Sequence, residues 1–440
     1  MATFPAPLAT GPIDLEAAVP PSKSVHQRAL LLAVLGPRGA TTTIEAAGAP
    51  SGDVVGLAAA LSAVAGVPVP CVGEVPGAVG DDGALGRSRD RRRLVLGMNG
   101  TGLRLLTTAV GLRPRGARTL LTGAPRLRAR PHGALVRALG RLGAHVHRKP
   151  SGALRVIATP WTAHAVSLPL DRSSQPASSI LLSACRAGGV VVRVVGPAVS
   201  RGYLGLTRAA LAAFGVPSEE RDGVVTVPAA TPRCAHLRVE PDASSAAVWW
   251  AAAALTGGRA RVAGLPRASA QPDLALLPVL ERMGARVRTG ADGVPEVVGP
   301  GGGLRGAGEV DLRDAPDLAP LVAALGAAAE GGTRVTGAPH LRDKESDRVA
   351  TVVAAVRAVG GEATPTDDGF EVLGRAGALR GGRVAVAGDH RIALAFGVLG
   401  LAVPGVVLDG VEAVSKSYPG FPEALAAAAD PDRGRPSSAP

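Results

Sequence analysis

The tightest constraint on this chain is an irregular internal repeat. The segment Leu-Thr-Gly-Ala-Pro-Arg-Leu-Arg at 121–128 precedes a helical pattern ending at Leu142-Gly-Ala, and Val-Thr-Gly-Ala-Pro-His-Leu-Arg at 335–342 precedes one ending at Val359-Gly-Gly. Weaker copies begin near 47–50, 195–198, 263–266 and 408–411. The starts recur about every 70 residues, a longer period than solenoid repeats have. Each copy reads as a strand, a Gly/Pro turn, a polar loop, a helix closed by Gly, and another strand. Six copies, three to a domain, divide the length most simply and predict an α/β fold. A second helix type, Ala-rich and apolar nearly all round, is predicted at 245–256, 318–329 and 392–399, where it must be buried within its domain.

A chain of 440 residues is too long for one core and is expected to form two large domains. Aromatic residues make up only 2% against 46% hydrophobic, so the cores must be built of Ala, Val and Leu. Cys71, Cys185 and Cys234 are odd in number and unrelated in spacing, which argues against a disulfide framework or a zinc site and fits a reducing cytoplasm. The N-terminal segment lacks the basic and apolar regions of a signal peptide, and the longest apolar run, 392–408, is broken by Gly and Pro. A soluble cytoplasmic protein is expected. Residues 73–93, residues 300–308 and the tail from 430 read as weakly structured, and the Arg-Asp-Arg-Arg-Arg cluster at 89–93 as a solvated loop.

The net charge of +12 suits nucleic acid, an acidic surface or small anions. No aromatic residues interleave the basic ones and no nucleic-acid module is present, which favours small anions. Only four lysines occur, Lys23, Lys149, Lys344 and Lys416, and every other basic residue is Arg. A lysine retained against that bias suggests a need for a compact ammonium. Asn99 is the sole asparagine, and Tyr203 and Tyr418 are the only tyrosines.

Several helix starts carry polar groups suited to anions. Pro20-Pro21-Ser22-Lys23-Ser24-Val-His-Gln27-Arg28 opens an apolar run, with Ser24 and Gln27 in a capping-box pattern, so free backbone N–H groups, Lys23 and Arg28 face one volume. A surface helix with an ordinary cap fits the same letters. Gly97-Met-Asn99-Gly100-Thr101-Gly102-Leu-Arg104 allows close backbone approach at a second helix start, yet is neither a Walker loop nor a dinucleotide fingerprint. Arg130 before Pro131 makes a third basic helix start, and Ser173-Ser174-Gln175 supplies neutral groups of the kind that orient ring hydroxyls. In His340-Leu-Arg-Asp-Lys344-Glu345-Ser-Asp-Arg348, a helix from about Lys344 would put Lys344 and Arg348 on one face; a solvated helix with internal ion pairs is the plainer reading. Asp389-His390-Arg391 starts another apolar helix, and Ser415-Lys416-Ser417-Tyr418 follows.

Taken in order, these segments resemble the 5-enolpyruvylshikimate-3-phosphate synthase family, with Ser200, Tyr203, Asp242-Ala-Ser-Ser and Pro316-Asp317 completing the series between Pro21 and about Leu425. The resemblance implies a two-lobed inside-out α/β barrel, three β/α units to a lobe, joined by a double crossover hinge near Ser22 and Arg238. Residues 1–22 and 238–430 would form one lobe, 23–237 an inserted lobe that closes with it on the substrates, and 431–440 a disordered tail. The implied reaction transfers the enolpyruvyl group of phosphoenolpyruvate to the 5-hydroxyl of shikimate 3-phosphate, with release of inorganic phosphate and no metal or organic cofactor. By position, Lys23, Gly100, Arg130, Gln175, Arg348, Arg391 and Lys416 would hold phosphoenolpyruvate. Lys23, Ser24, Arg28, Ser173, Ser174, Gln175, Ser200, Tyr203, Asp317, His340 and Lys344 would hold shikimate 3-phosphate. Asp317 would take the hydroxyl proton, Glu345 would protonate the methylene carbon, and Lys23 would stabilise the departing phosphate. A monomer binding neither nucleic acid nor membrane is implied. Two other readings remain: a divergent relative acting on another phosphorylated or hydroxylated ring, and a non-catalytic anion binder.

Overall fold

A computed structural model describes residues 2–430; the expected tail at 431–440 lies outside the described residues. The described residues divide into two compact units, one of residues 21–240 and the other of residues 2–20 with 241–430. At the two passages the backbone is paired within each unit: Ser22 N–H donates to Glu240 O at 2.8 Å, and Asp242 N–H donates to Pro20 O at 2.9 Å.

Each unit holds three small sheets. Four of the six share one order, a parallel strand pair followed by two antiparallel strands. In Arg91–Val95, Arg118–Thr122, Leu154–Ile157 and His145–Arg148 this pattern builds one sheet of residues 21–240. Gly308–Asp311, Gly331–Thr336, Phe370–Gly374 and Glu362–Pro365 repeat it in the other unit. These are the two strongest sequence repeats, so the α/β expectation and the six-fold repeat are both borne out. The arginine cluster differs from expectation. Its residues 91–93 lie in a strand parallel to Arg118–Thr122, because alternation with the buried Leu94 gives the run an inner face despite its charge.

Inside the sheets of one unit the helices Ala243–Thr256, Ala319–Ala328 and His390–Leu399 pack on one another. Their alanines allow close approach, and nearly all their residues are buried, as apolar character all round requires. The indole of Trp249 in this core donates to Tyr418 Oη at 2.9 Å, and that hydroxyl donates to Ala18 O at 3.0 Å. Residues 21–240 repeat the arrangement with Lys23–Val34, Gly100–Ala109 and Gln175–Ala184. In both units these internal helices begin at the segments singled out from sequence. No helix among the described residues is long and apolar enough to cross a membrane.

Two helix boundaries correct the sequence reading. The first internal helix is capped by Ser22, whose Oγ accepts from Val25 N–H at 3.4 Å; Ser24 lies in the first turn, so no capping box forms with Gln27. No helix runs from Lys344 either. Pro339–Asp343 is a 3₁₀ turn, Lys344 is extended, and the helix Arg348–Ala358 starts after Asp347, whose carboxylate accepts from Ala350 N–H at 3.1 Å. Aspartate is among the best N-caps, and Asp347 sets the boundary.

Candidate active site

The candidate residues gather in two constellations, one in each unit, and these differ in how charge is balanced.

In residues 21–240, Ser22 starts the helix that carries Lys23, Ser24 and Arg28. Lys23 Nζ pairs with Asp53 at 3.2 Å. Arg28 is fully buried, and among the described residues it has no carboxylate partner. Its guanidinium donates to Thr207 Oγ1 at 2.9 Å, Ser24 O at 2.8 Å, and Ser178 Oγ and Tyr203 O at 3.4 Å each. Burial pushes it down to about 10, still charged at neutral pH. A buried cation held only by neutral groups leaves an electrostatic deficit that an anion nearby would relieve.

The Gly97–Arg104 segment forms the second corner. Asn99 caps the helix Gly100–Ala109 through Gly102 N–H at 2.7 Å, and its amide donates to Asp53 O at 2.7 Å, tying this helix start to the partner of Lys23. The lone asparagine therefore holds a joint between two segments. At Gly100 the guanidinium groups of Arg130 and Arg104 come close enough that a Cβ would push the tip of Arg130 aside. Gln175 accepts from Arg104 and donates to Thr101 Oγ1 at 3.0 Å, while Ser173 Oγ accepts Gln175 N–H at 3.2 Å. Ser174 is buried at the same helix start. Ser200 is buried with φ of 59°, a left-handed conformation uncommon outside glycine, and the helix Gly202–Ala213 that carries Tyr203 follows it.

The other unit holds Asp317, His340, Lys344, Glu345, Arg348, Arg391 and Lys416. Arg348 is its centre: Nη1 donates to Asp317 at 2.7 Å, Nη2 to Glu345 at 3.0 Å, and Nε to Asp389 at 2.8 Å. Arg391 Nη2 reaches the second oxygen of Asp317 at 3.1 Å, and Lys416 Nζ reaches the second oxygen of Glu345 at 2.5 Å. Lys344 adds positive charge near Asp317, and His340 is buried on the preceding 3₁₀ turn. Burial alone would raise the Asp317 carboxyl, but Arg391, Arg348 and Lys344 hold it well below the usual carboxylate range. Asp317 is thus a carboxylate whose state depends on what else competes for its cations, and Glu345 shares Arg348 with it.

Sequence reasoning missed several supporting groups. Asp53 pairs with Lys23, and Thr207 and Ser178 hold Arg28. Asp389 is fully buried; besides gripping Arg348 it accepts from Ser346 Oγ at 3.1 Å and from Arg391 N–H at 3.1 Å. Asp273 is also buried, and burial pushes its carboxyl up to about 6 despite the nearby Arg391. The Asp-His-Arg motif signalled Asp389 only as a helix cap. Nothing local marked Asp273. Among the described residues no group of three or more His, Cys, Asp or Glu side chains is placed to hold a metal ion.

The family model described as EPSP synthase (3-phosphoshikimate 1-carboxyvinyltransferase) matches residues 9–425. A 3-phosphoshikimate 1-carboxyvinyltransferase of Methanosphaerula palustris is 36% identical over 95% of this chain and 97% of its own length. One from Methanothermobacter thermautotrophicus is 39% identical over 76% of this chain and 78% of its own. Among solved structures, an EPSP synthase from Acinetobacter baumannii superposes with a TM-score of 0.76 at 25% identity, covering 97% of this chain and 98% of that one. The family model's match takes in the ordered motifs and both units, and the chain belongs to the EPSP synthase family.

Proposed function

We propose that this protein transfers the enolpyruvyl group of phosphoenolpyruvate to the 5-hydroxyl of shikimate 3-phosphate and releases inorganic phosphate, a step of the shikimate pathway towards aromatic amino acids. Membership of the family supports the reaction. The observation that carries the assignment of roles is the pair of carboxylates, Asp317 and Glu345, held on the one guanidinium of Arg348.

The chemistry explains why two carboxylates are useful. Joining the hydroxyl oxygen to C2 of phosphoenolpyruvate requires the hydroxyl to lose a proton and the methylene carbon to gain one. Breaking the C2–O bond to phosphate then requires the resulting methyl group to give a proton back, because the product again carries a methylene. Asp317, ionised and bound to two arginines, is assigned the hydroxyl proton. Glu345, in its protonated form, is assigned the methylene proton: it gives this proton to the carbon, becoming a carboxylate, and then recovers one from the methyl group. Substrate anions that draw Arg348, Arg391 and Lys416 away would raise the basicity of both carboxylates, since each loses a neighbouring positive charge.

Phosphoenolpyruvate is assigned to Lys23, Gly100, Arg130, Gln175, Arg348, Arg391 and Lys416. Shikimate 3-phosphate is assigned to Lys23, Ser24, Arg28, Ser173, Ser174, Gln175, Ser200, Tyr203, Asp317, His340 and Lys344. The uncompensated charge of buried Arg28 supports an anionic partner at that helix start, and Lys23 is assigned to the departing phosphate. A pure anion binder gains nothing from carboxylates on its cations, which argues for catalysis. We further read the protein as a cytoplasmic monomer that does not bind nucleic acid. Mass spectrometry of the acceptor after incubation with phosphoenolpyruvate tests the function. A mass gain of one enolpyruvyl group on shikimate 3-phosphate is expected, and unchanged acceptor would overturn the assignment.

A further inference from the structure

Charge is divided unevenly along the chain. Of 48 basic and 36 acidic residues, 28 and 11 lie within 21–240, which leaves that unit at +17 and the remainder at −5. The excess is concentrated further: residues 91–170 contain 14 Arg and one Lys, and no Asp or Glu in 80 positions. This stretch contains the whole sheet made of Arg91–Val95, Arg118–Thr122, Leu154–Ile157 and His145–Arg148.

Cross-strand register collects the charge on one face. Arg91 lies beside Arg118, Arg118 beside Ile157, and Ile157 beside His145; the next row runs Arg93, Leu120, Arg155, His147. The four arginines and two histidines are exposed, while the alternate positions Leu94, Thr119, Leu121, Val146 and Val156 are buried. None of Arg91, Arg93, Arg118 and Arg155 makes an ion pair among the described residues. On each of the other five sheets at least one strand charge is paired: Arg383 with Asp409, Arg259 with Asp14, Arg334 with Glu371, His236 with Glu45, and Glu220 with Arg208 of the adjoining helix. Like charges side by side weaken a sheet. Guarding an edge against strand pairing accounts for the arginines of Arg91–Val95, which is an edge strand, but not for Arg118 or Arg155 on the inner strands.

We propose that this sheet face is a docking surface for a carboxylate-rich segment of a partner polypeptide. Along a strand, outward positions repeat about every 6.8 Å, which is also the spacing of alternate side chains in an extended acidic partner. Guanidinium groups match carboxylates two bonds at a time. Leu120, Ile157 and the exposed Val95 lie among the arginines and give an amphipathic partner apolar contact. A single nucleic-acid strand fits less well, because the face has no aromatic side chain for bases to stack on.

The test compares two charge-reversed variants of the full-length protein, R93E/R155E on the face and R221E/R233E on other exposed positions of the same unit, with a short poly-L-glutamate as probe. Both variants change net charge equally. Poly-L-glutamate affinity at low salt should fall about tenfold or more in R93E/R155E and far less in R221E/R233E, with enolpyruvyl transfer unaffected in both. Equal losses in the two variants would reduce the effect to the general field of a basic protein and overturn the proposal. Tighter binding of an oligothymidylate of matched charge would overturn it in favour of nucleic acid.

Discussion

Arg348 carries three carboxylates on one buried guanidinium, and the consequences are sharpest at this residue. Asp317→Asn and Glu345→Gln keep shape and remove a proton carrier, so each should lower turnover by about 10² to 10⁴ while substrate binding persists. Near-normal turnover in either would remove that residue from the proton chemistry. Asp273 gives a pH signature. Its folded carboxyl is raised to about 6 by burial, so the stability it contributes is complete below the unfolded value near 3.8 and lost as pH rises through about 6. Relative to Asp273→Asn, the wild type should therefore lose thermal stability between pH 4 and 7, by up to about 3 kcal/mol. A difference in melting temperature that stays constant across that range would show that Asp273 is not shifted. From sequence, Asp317 and Glu345 were legible through their ordered neighbours. Asp273 and the gripping role of Asp389 were not, because their partners lie far along the chain and burial sets their state.

Among the elements, helix starts hold most of the candidate site. Asn99, Asp242 and Asp389 each cap an internal helix with a side-chain acceptor, a local signal that sequence displays well. Ser22 rather than Ser24 caps the first helix, and Asp347 delays the helix expected from Lys344. In Arg91–Val95 the run of charge masks the alternation around Leu94 that makes the segment a strand. Asn99→Ala tests whether a cap also shapes the site. Loss of the bonds to Gly102 N–H and Asp53 O should cost about 1–2 kcal/mol of stability, and KM for phosphoenolpyruvate should rise more than kcat falls. Loss of stability with KM unchanged would confine Asn99 to a structural part.

For the whole molecule, the repeat predicted six β/α units, and each unit of the chain contains three sheets around three internal helices. Local strand and helix periodicity made that legible. Which cation meets which carboxylate was not, since Arg391 and Asp317 are 74 positions apart and Lys416 and Glu345 are 71 apart. Residues 21–240 hold Arg28 with neutral groups, whereas the other unit balances its cations with carboxylates. Anion binding is proposed for both units and proton transfer for the second. The most direct test is release of inorganic phosphate by the purified protein. Release should require phosphoenolpyruvate and shikimate 3-phosphate together and should be largely lost in Asp317→Asn. No release with both substrates present, or equal release from phosphoenolpyruvate alone, would contradict it.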